Sequence, residues 1–391
     1  MKVLEDNVSG GHVVVAPDKF KGSASATTVA AALSGGLRAV TSRRVVAFPI
    51  ADGGEGTVDM MVNTGFEPVT CTVPGPLQRP VTATYALRGR TAVIEAASAA
   101  GLGLLEQSGP TPTTARTTTT VGVGALLCDA LGHGVDRVVI GVGGSATTDG
   151  GAGLLVGLGA RLLDEHGDQL YPCGADLQHV REVDLDAIDH RLRGVDLVVA
   201  CDVDNPLTGP HGAAVVYGPQ KGADPDTVRM LEHALTHWAD AVAGRCGRDV
   251  RHDPGMGAAG GMAFAMAAAL GARLTPGIDL LLELGGFPAV IDGAALVVVG
   301  EGSLDTQSLH GKGPIGVARN ARAHGVPVVA VAGRSSVGAA DLRTAGIDAV
   351  YTLAALESDE LSSMLNAVPL LRRIGSDIAH DRLEVAAPRH T

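Results

Sequence analysis

Residue types that transfer groups and bind anions gather in five loops of this 391-residue chain, each directly after a short apolar run. The loops read APDKFKGS (Ala16–Ser23), PIADGGEGT (Pro49–Thr57), GGSATTDGG (Gly143–Gly151), CDVDNPL (Cys201–Leu207) and GEGSLD (Gly300–Asp305). The third suits phosphate best. Glycines let the backbone approach an anion, and successive N–H groups can point into one concavity. Gly143 and Gly144 would supply that backbone, and Ser145, Thr147 and Thr148 would add hydroxyl donors. A tight turn into a helix N-cap uses the same composition. Asp52, Glu55, Asp149, Asp202, Asp204, Glu301 and Asp305 also stand in these loops. Phosphoryl transfer from ATP needs carboxylates twice, to hold Mg²⁺ and to take a proton from the attacking hydroxyl. Helix capping is the competing role, stronger for Asp204 and Glu55 than for Asp202 and Asp305.

Lysine usage points the same way. The chain has 25 Arg and only five Lys, so Arg serves as its general surface cation. Yet Lys19, Lys21, Lys221 and Lys312 all sit in loops bearing Gly or Pro, and only Lys2 lies in a tail. A compact, rotatable ammonium is not replaceable by Arg in a tight anion pocket. Chance placement among so few residues is the alternative.

The elements that must position these loops are legible as apolar runs. Val13–Val15, Val45–Phe48, Ala92–Ile94, Val138–Val142, Leu197–Ala200, Leu296–Val299 and Val328–Val331 are continuous rather than alternating, as in parallel strands buried on both faces. Helical patterns over Ser25–Val40, Thr117–Leu131, Asp226–Cys246 and Pro314–His324 lie between several of them. This alternation predicts an α/β fold, in which ligands bind beyond the carboxyl ends of the strands. The length predicts two domains. Prolines crowd Phe66–Arg90, and Gly285-Gly286-Phe287-Pro288 offers a second break. The expected division is therefore 1–67 with 288–391 as one discontinuous domain and 68–287 as an insertion. Both chain ends read as frayed.

Composition excludes several function classes. Net charge is −12 with no basic stripe, which argues against nucleic-acid binding. The weakly polar stretch Ala258–Ala272 is too short to span a bilayer and predicts a buried helix. Five cysteines without a C-x-x-C pair, and no basic-then-apolar leader, predict a soluble protein of the cytoplasm. No G-x-x-x-x-G-K-[ST] loop is present. Gly255–Gly260 matches G-x-G-x-x-G but follows polar residues instead of a strand, so close packing at a helix start is expected, not a dinucleotide. His233 and His237 lie on a polar helix with no third ligand, and Cys201 reads as a small buried hydrophobe.

At this point the ordered motifs are recognisable. APDKFKGS, PIADGGEGT, GVGGSATTDGGAG (Gly141–Gly153), ACDVDNPLTGP (Ala200–Pro210), GPQKGA (Gly218–Ala223), GAAGG (Gly257–Gly261) and GEGSLDTQSLHGKGP (Gly300–Pro314) resemble the bacterial type I glycerate kinases over nearly the whole length. The resemblance implies a Rossmann-like parallel-sheet domain interrupted by a second α/β domain, with the active site in the cleft between them. It implies transfer of the ATP γ-phosphoryl group to D-glycerate with Mg²⁺, 2-phosphoglycerate being favoured over the 3-isomer. For such a small anionic substrate, Lys19 and Lys21 would bind the carboxylate, while Asp18, Asp52 and Glu55 would accept from its hydroxyls. Gly143, Gly144, Ser145, Thr147 and Thr148 would cradle phosphate. Lys221 or Lys312 would neutralise developing charge. Asp202 leads as base or metal ligand, with Asp149 (metal) and Asp305 (catalytic) as rivals. A non-catalytic hydroxy-acid sensor is the alternative. The expected partners are glycerate and ATP, with neither nucleic acid nor membrane, and homo-oligomerisation stays open.

Overall fold

The computed structural model describes residues 11–105, 109–306, 308 and 313–383. Of the tails expected to fray, 1–11 and about 384–391, residues 1–10 and 384–391 lie outside the described residues, as does Lys312. The strands in chain order are β1 His12–Pro17, β2 Val45–Ala47, β3 Glu67–Pro74, β4 Pro80–Arg88, β5 Thr91–Glu95, β6 Arg137–Gly141, β7 Arg161–Leu163, β8 Glu182–Asp184, β9 Asp196–Ala200, β10 Arg273–Thr275, β11 Ala294–Leu304, β12 Val328–Ser335 and β13 Ala349–Thr352. The chain packs as two units, one of Met1–Ala51 with Ile278–Thr391, the other of Asp52–Gly277.

In the first unit the β-branched runs pair in parallel, in the order β13-β12-β11-β1-β2. The order doubles back between β1 and β11, which makes their carboxyl ends the topological switch point where α/β sheets bind ligands. Ser25 caps the helix Ala26–Val40 by accepting from the Thr28 N–H at 3.2 Å. That helix buries Val29, Ala30, Leu33 and Leu37 against Val13, Val15, Val298 and Val331, together with Leu371 and Ile374 of the helix Ala367–Arg382.

The second unit carries a mixed sheet, β10-β9-β6-β5-β4-β3, in which β5, β6, β9 and β10 are parallel. A separate antiparallel pair joins β7 to β8. The proline-rich stretch expected to cross between domains is instead the antiparallel hairpin β3–β4, in register from Glu67↔Leu87 to Pro74↔Pro80. Pro68 and Pro74 are tolerated there because β3 is the edge strand, where a missing N–H costs no ladder bond. The division consequently falls earlier at both ends than the sequence punctuation suggests. Residues 52–67, with Asp52 and Glu55, belong to the second unit, and 278–287 belong to the first, where Ile278 is fully buried. Gly285–Pro288 is only a turn into the helix Phe287–Ile291.

The expected helix over Thr117–Leu131 is two helices, Pro112–Thr117 and Val121–Gly132. The break at Thr118–Thr120 has a local cause: Thr120 turns its N–H and hydroxyl to Asp149, each at 2.7 Å. The buried helix expected within Ala258–Ala272 is Met262–Leu270, its residues up to Ala268 all buried. The glycines before it serve close packing, as expected. A Cβ on Gly260, which has φ +68°, would lie 2.0 Å from the Thr147 carbonyl oxygen. Among the described residues, no helix is long and apolar enough to cross a membrane.

Candidate active site

In the second unit the expected site residues converge at the carboxyl ends of β5, β6 and β9. The Asp52–Thr57 loop lies across these ends. A Cβ on Gly141, the last residue of β6, would sit 2.3 Å from the Gly53 carbonyl oxygen. One on Gly143 would sit 2.6 Å from the Gly54 Cα, and the Gly143 N–H donates to the Gly53 carbonyl at 3.1 Å. Glycine is thus required on both loops, because backbone packs on backbone. Asp52 turns its Oδ1 to the Gly54 N–H at 3.2 Å, and Glu55 is exposed. Asp202, at the end of β9, is half-buried and accepts the Gly277 N–H at 2.7 Å. The position of a Cβ on Gly277 would be 2.8 Å from the Asp52 carbonyl oxygen and 2.9 Å from Asp202 Oδ2, so the Asp52 backbone and the Asp202 carboxylate both border Gly277. Asp204 is exposed.

Glu95 joins this group without having been expected. It ends β5, is buried, and accepts the Gly56 N–H at 3.0 Å, with the Val58 N–H at 3.4 Å, at the start of the helix Thr57–Asn63. Its charge suits a helix N-terminus. It follows the apolar run Ala92–Ile94, the same local signal that singled out Asp202.

The glycine loop divides into an open and a closed half. Gly144 is exposed and Gly143 half-buried, whereas Ser145, Thr147 and Thr148 are buried. The hydroxyl donors expected from Thr147 and Thr148 are therefore turned inward, and the exposed face offers Gly143 and Gly144 backbone. The metal role expected of Asp149 is corrected. It is completely buried and receives four donors: the Thr120 N–H and hydroxyl, the Gly151 N–H at 3.1 Å and the Gly153 N–H at 3.2 Å. Burial raises its pKa, and these donors pull it back. Such a carboxylate organises the loop and has no face for an ion. Asp149→Ala, which strands those donors, is expected to lower stability by about 3–5 kcal/mol in chemical denaturation.

Lys221 is also placed differently from the expected phosphate ligand. It is 2% exposed, and its Nζ donates to Ser145 Oγ at 3.1 Å and to the Thr147 carbonyl at 2.5 Å. Burial pulls its pKa down to about 8, against the opposing pull of Asp149.

The first unit gathers its own set at the switch point. The Asp18 N–H donates to the Gly300 carbonyl at 2.8 Å, and Asp18 Oδ1 accepts the Lys19 N–H at 2.6 Å. Asp18 Oδ2 lies 3.5 Å from the Cβ position of Gly313, the first residue of the helix Gly313–Ala323. Lys19 is half-buried and Lys21 exposed. Asp305, expected to be catalytic, accepts the Ser308 N–H at 3.1 Å through Oδ1, as the capping alternative would have it. Lys312 precedes this helix and is outside the described residues.

Groups set aside in the sequence have structural work. His237 Nε2 bonds the Val180 carbonyl at 2.6 Å. Burial pushes the Cys201 thiol up to about 11, so it stays protonated near neutrality. Among the described residues no three His, Cys, Asp or Glu side chains form a ready metal cluster. Asp52 and Asp202 are hard oxygen donors, and one or two carboxylates completed by phosphate oxygens and water suit Mg²⁺.

Comparison with known proteins joins this geometry to a family. The model of the glycerate kinase family matches residues 13–382. The glycerate kinase of Bacillus subtilis strain 168 is 42% identical over 94% of this chain and 96% of its own length. The glycerate 2-kinase of Escherichia coli K12 is 41% identical over 87% and 90% respectively. A crystal structure assigned as glycerate kinase 2 from Salmonella typhimurium LT2 superimposes with a TM-score of 0.80 at 40% identity, covering 95% of this chain and 98% of that one. Family, fold and ordered motifs agree over the same residues: this chain is an enzyme of the glycerate kinase family.

Proposed function

We propose that the chain transfers the γ-phosphoryl group of ATP, with Mg²⁺, to the 2-hydroxyl of D-glycerate. The observation that supports this reading is that the Asp202 carboxylate and the Asp52 backbone both border Gly277, beside a glycine-tight loop with open backbone at Gly143 and Gly144. Phosphoryl transfer asks little covalent chemistry of a protein and much positioning, which such packed loops supply. Asp202 takes the proton from the attacking hydroxyl, and Asp52 is the carboxylate that would hold Mg²⁺, whose charge offsets that of the phosphates. The Gly143 and Gly144 N–H groups bind phosphate. Lys19 and Lys21 bind the glycerate carboxylate, and Asp18 orients a hydroxyl. The choice of the 2-hydroxyl is supported by a relative named glycerate 2-kinase. Five free cysteines suit a reducing cytoplasm.

The test is ADP release in a coupled assay. Release is expected only when D-glycerate and Mg²⁺ are both present, and phosphorus NMR of the product is expected to show 2-phosphoglycerate. A 3-phosphoglycerate signal would move the acceptor. Calorimetric binding of D-glycerate without ADP release would make the chain a sensor and end the kinase reading.

A further inference from the structure

We propose that Lys221 is a positioning residue, which grips Ser145 and Thr147 from the protein side and so holds the Gly143–Thr148 backbone in the curvature that binds phosphate. The inference rests on the reading of that loop as the phosphate site, and it gives Lys221 a role through the loop instead of on the ligand.

The lysine is held at both ends. Its backbone closes the short turn Pro219–Lys221, with its N–H on the Gly218 carbonyl at 3.0 Å. Gly222 ends the turn at φ +93°, where a Cβ would fall 2.2 Å from the Thr111 backbone nitrogen. The anchor therefore cannot slide along the neighbouring segment. At the other end, Nζ joins a side chain and a carbonyl that lie on either side of Ala146. Two bonds to one tight turn fix its shape. They also compete with any outward rotation of Ser145.

Fold stability alone does not call for an ammonium here. Burying one is costly, and replacing a buried charge by an apolar side chain of similar volume is often neutral or stabilising. Methionine fills nearly the same volume and would leave only a hydroxyl and a carbonyl to be satisfied otherwise. Among the described residues, charged groups on the surrounding elements are few. Asp149, in the loop itself, acts on Lys221. Arg116 and Asp224, on the flanking helices, act on each other.

The two roles have opposite pH signs. The lysine pKa lies at about 8 in the fold and near 10.5 when unfolded. Lys221 therefore costs stability while charged, and that cost shrinks as pH rises from about 8 to about 10.5. Its grip on the loop weakens as pH passes about 8, where the folded ammonium becomes an amine. A positioning role thus predicts ATP affinity falling while the stability contribution rises.

The experiment measures kcat and KM for ATP and for D-glycerate from about pH 7 to about 9.5, with thermal melts, in the full chain and in K221M and K221R. For K221M the expected result is a folded protein whose KM for ATP is raised about ten-fold or more, the loss of a charge-assisted hydrogen bond, with KM for D-glycerate little changed. The wild-type rise in KM for ATP above about pH 8 should vanish in K221M and be absent in K221R as well, because a guanidinium stays charged across this range. Wild-type KM for ATP and an unchanged pH profile in K221M would overturn the proposal. Should K221M not fold, a flat wild-type profile would overturn it equally. If the intact chain itself neither binds nor turns over ATP, the phosphate-loop reading fails instead.

Discussion

Asp202→Asn lowers kcat by about 10³-fold, within the range for a lost general base, and leaves the fold in place. The structural half of this expectation follows from one hydrogen bond. Asp202 Oδ1 accepts the Gly277 N–H at 2.7 Å, and an asparagine carbonyl oxygen accepts it equally well. What the substitution removes is the capacity to take a proton from the attacking hydroxyl. The Mg²⁺ requirement separates the two roles open to this carboxylate. With Asp52 as the ion's ligand, the KM for Mg²⁺ of D202N stays near that of the wild type. A much larger Mg²⁺ requirement, with turnover restored by excess ion, would reassign Asp202 from base to ligand. Turnover within about three-fold of the wild type would remove it from the mechanism altogether.

Asp202 and Asp149 show why some of the site could be read from the sequence and some could not. Both follow a buried strand, and both stand among small polar residues. Nothing local separates them. The difference arises from Thr120, 29 positions away, which supplies two of the donors that enclose Asp149. Asp305 is similar, because its cap depends on how the following turn closes. Strands such as Val13–Val15 and Val138–Val142 were legible because burial on both faces leaves a continuous apolar run. The β3–β4 hairpin was not, because prolines that look like punctuation are harmless on an edge strand. Lys221 was visible as an unusual lysine, but its burial was not, since solvent exposure is decided by the whole packing of a loop. Glu95 was within reach, being the acidic end of an apolar run, and was passed over because no glycine loop follows it.

The glycine contact between the two loops carries the other large expected effect. In Gly141→Ala the new methyl falls 2.3 Å from the Gly53 carbonyl oxygen and 2.9 Å from its carbon. These are backbone atoms, so no side-chain rotamer relieves the clash. Gly141 cannot retreat, because it pairs with Glu95 on β5 and Ala200 on β9. The Asp52–Thr57 loop must therefore move, and with it the bond from Gly143 N–H to the Gly53 carbonyl. Overpacking of this kind costs about 1–3 kcal/mol of stability. A shift of about an ångström in groups that position substrate costs about 10²-fold in turnover. Loss of stability and of activity should therefore appear together in G141A, read by chemical denaturation and by the coupled assay. Gly244→Ala supplies the contrast. A Cβ there meets nothing within 4 Å, and the residue lies inside the helix Pro225–Cys246. G244A should be neutral or gain up to about 1 kcal/mol, with turnover intact. If G141A instead keeps turnover within a few-fold while losing stability, the spacing of the two loops supports the fold but not the chemistry, and the roles proposed for Asp52 and Asp202 would need another basis.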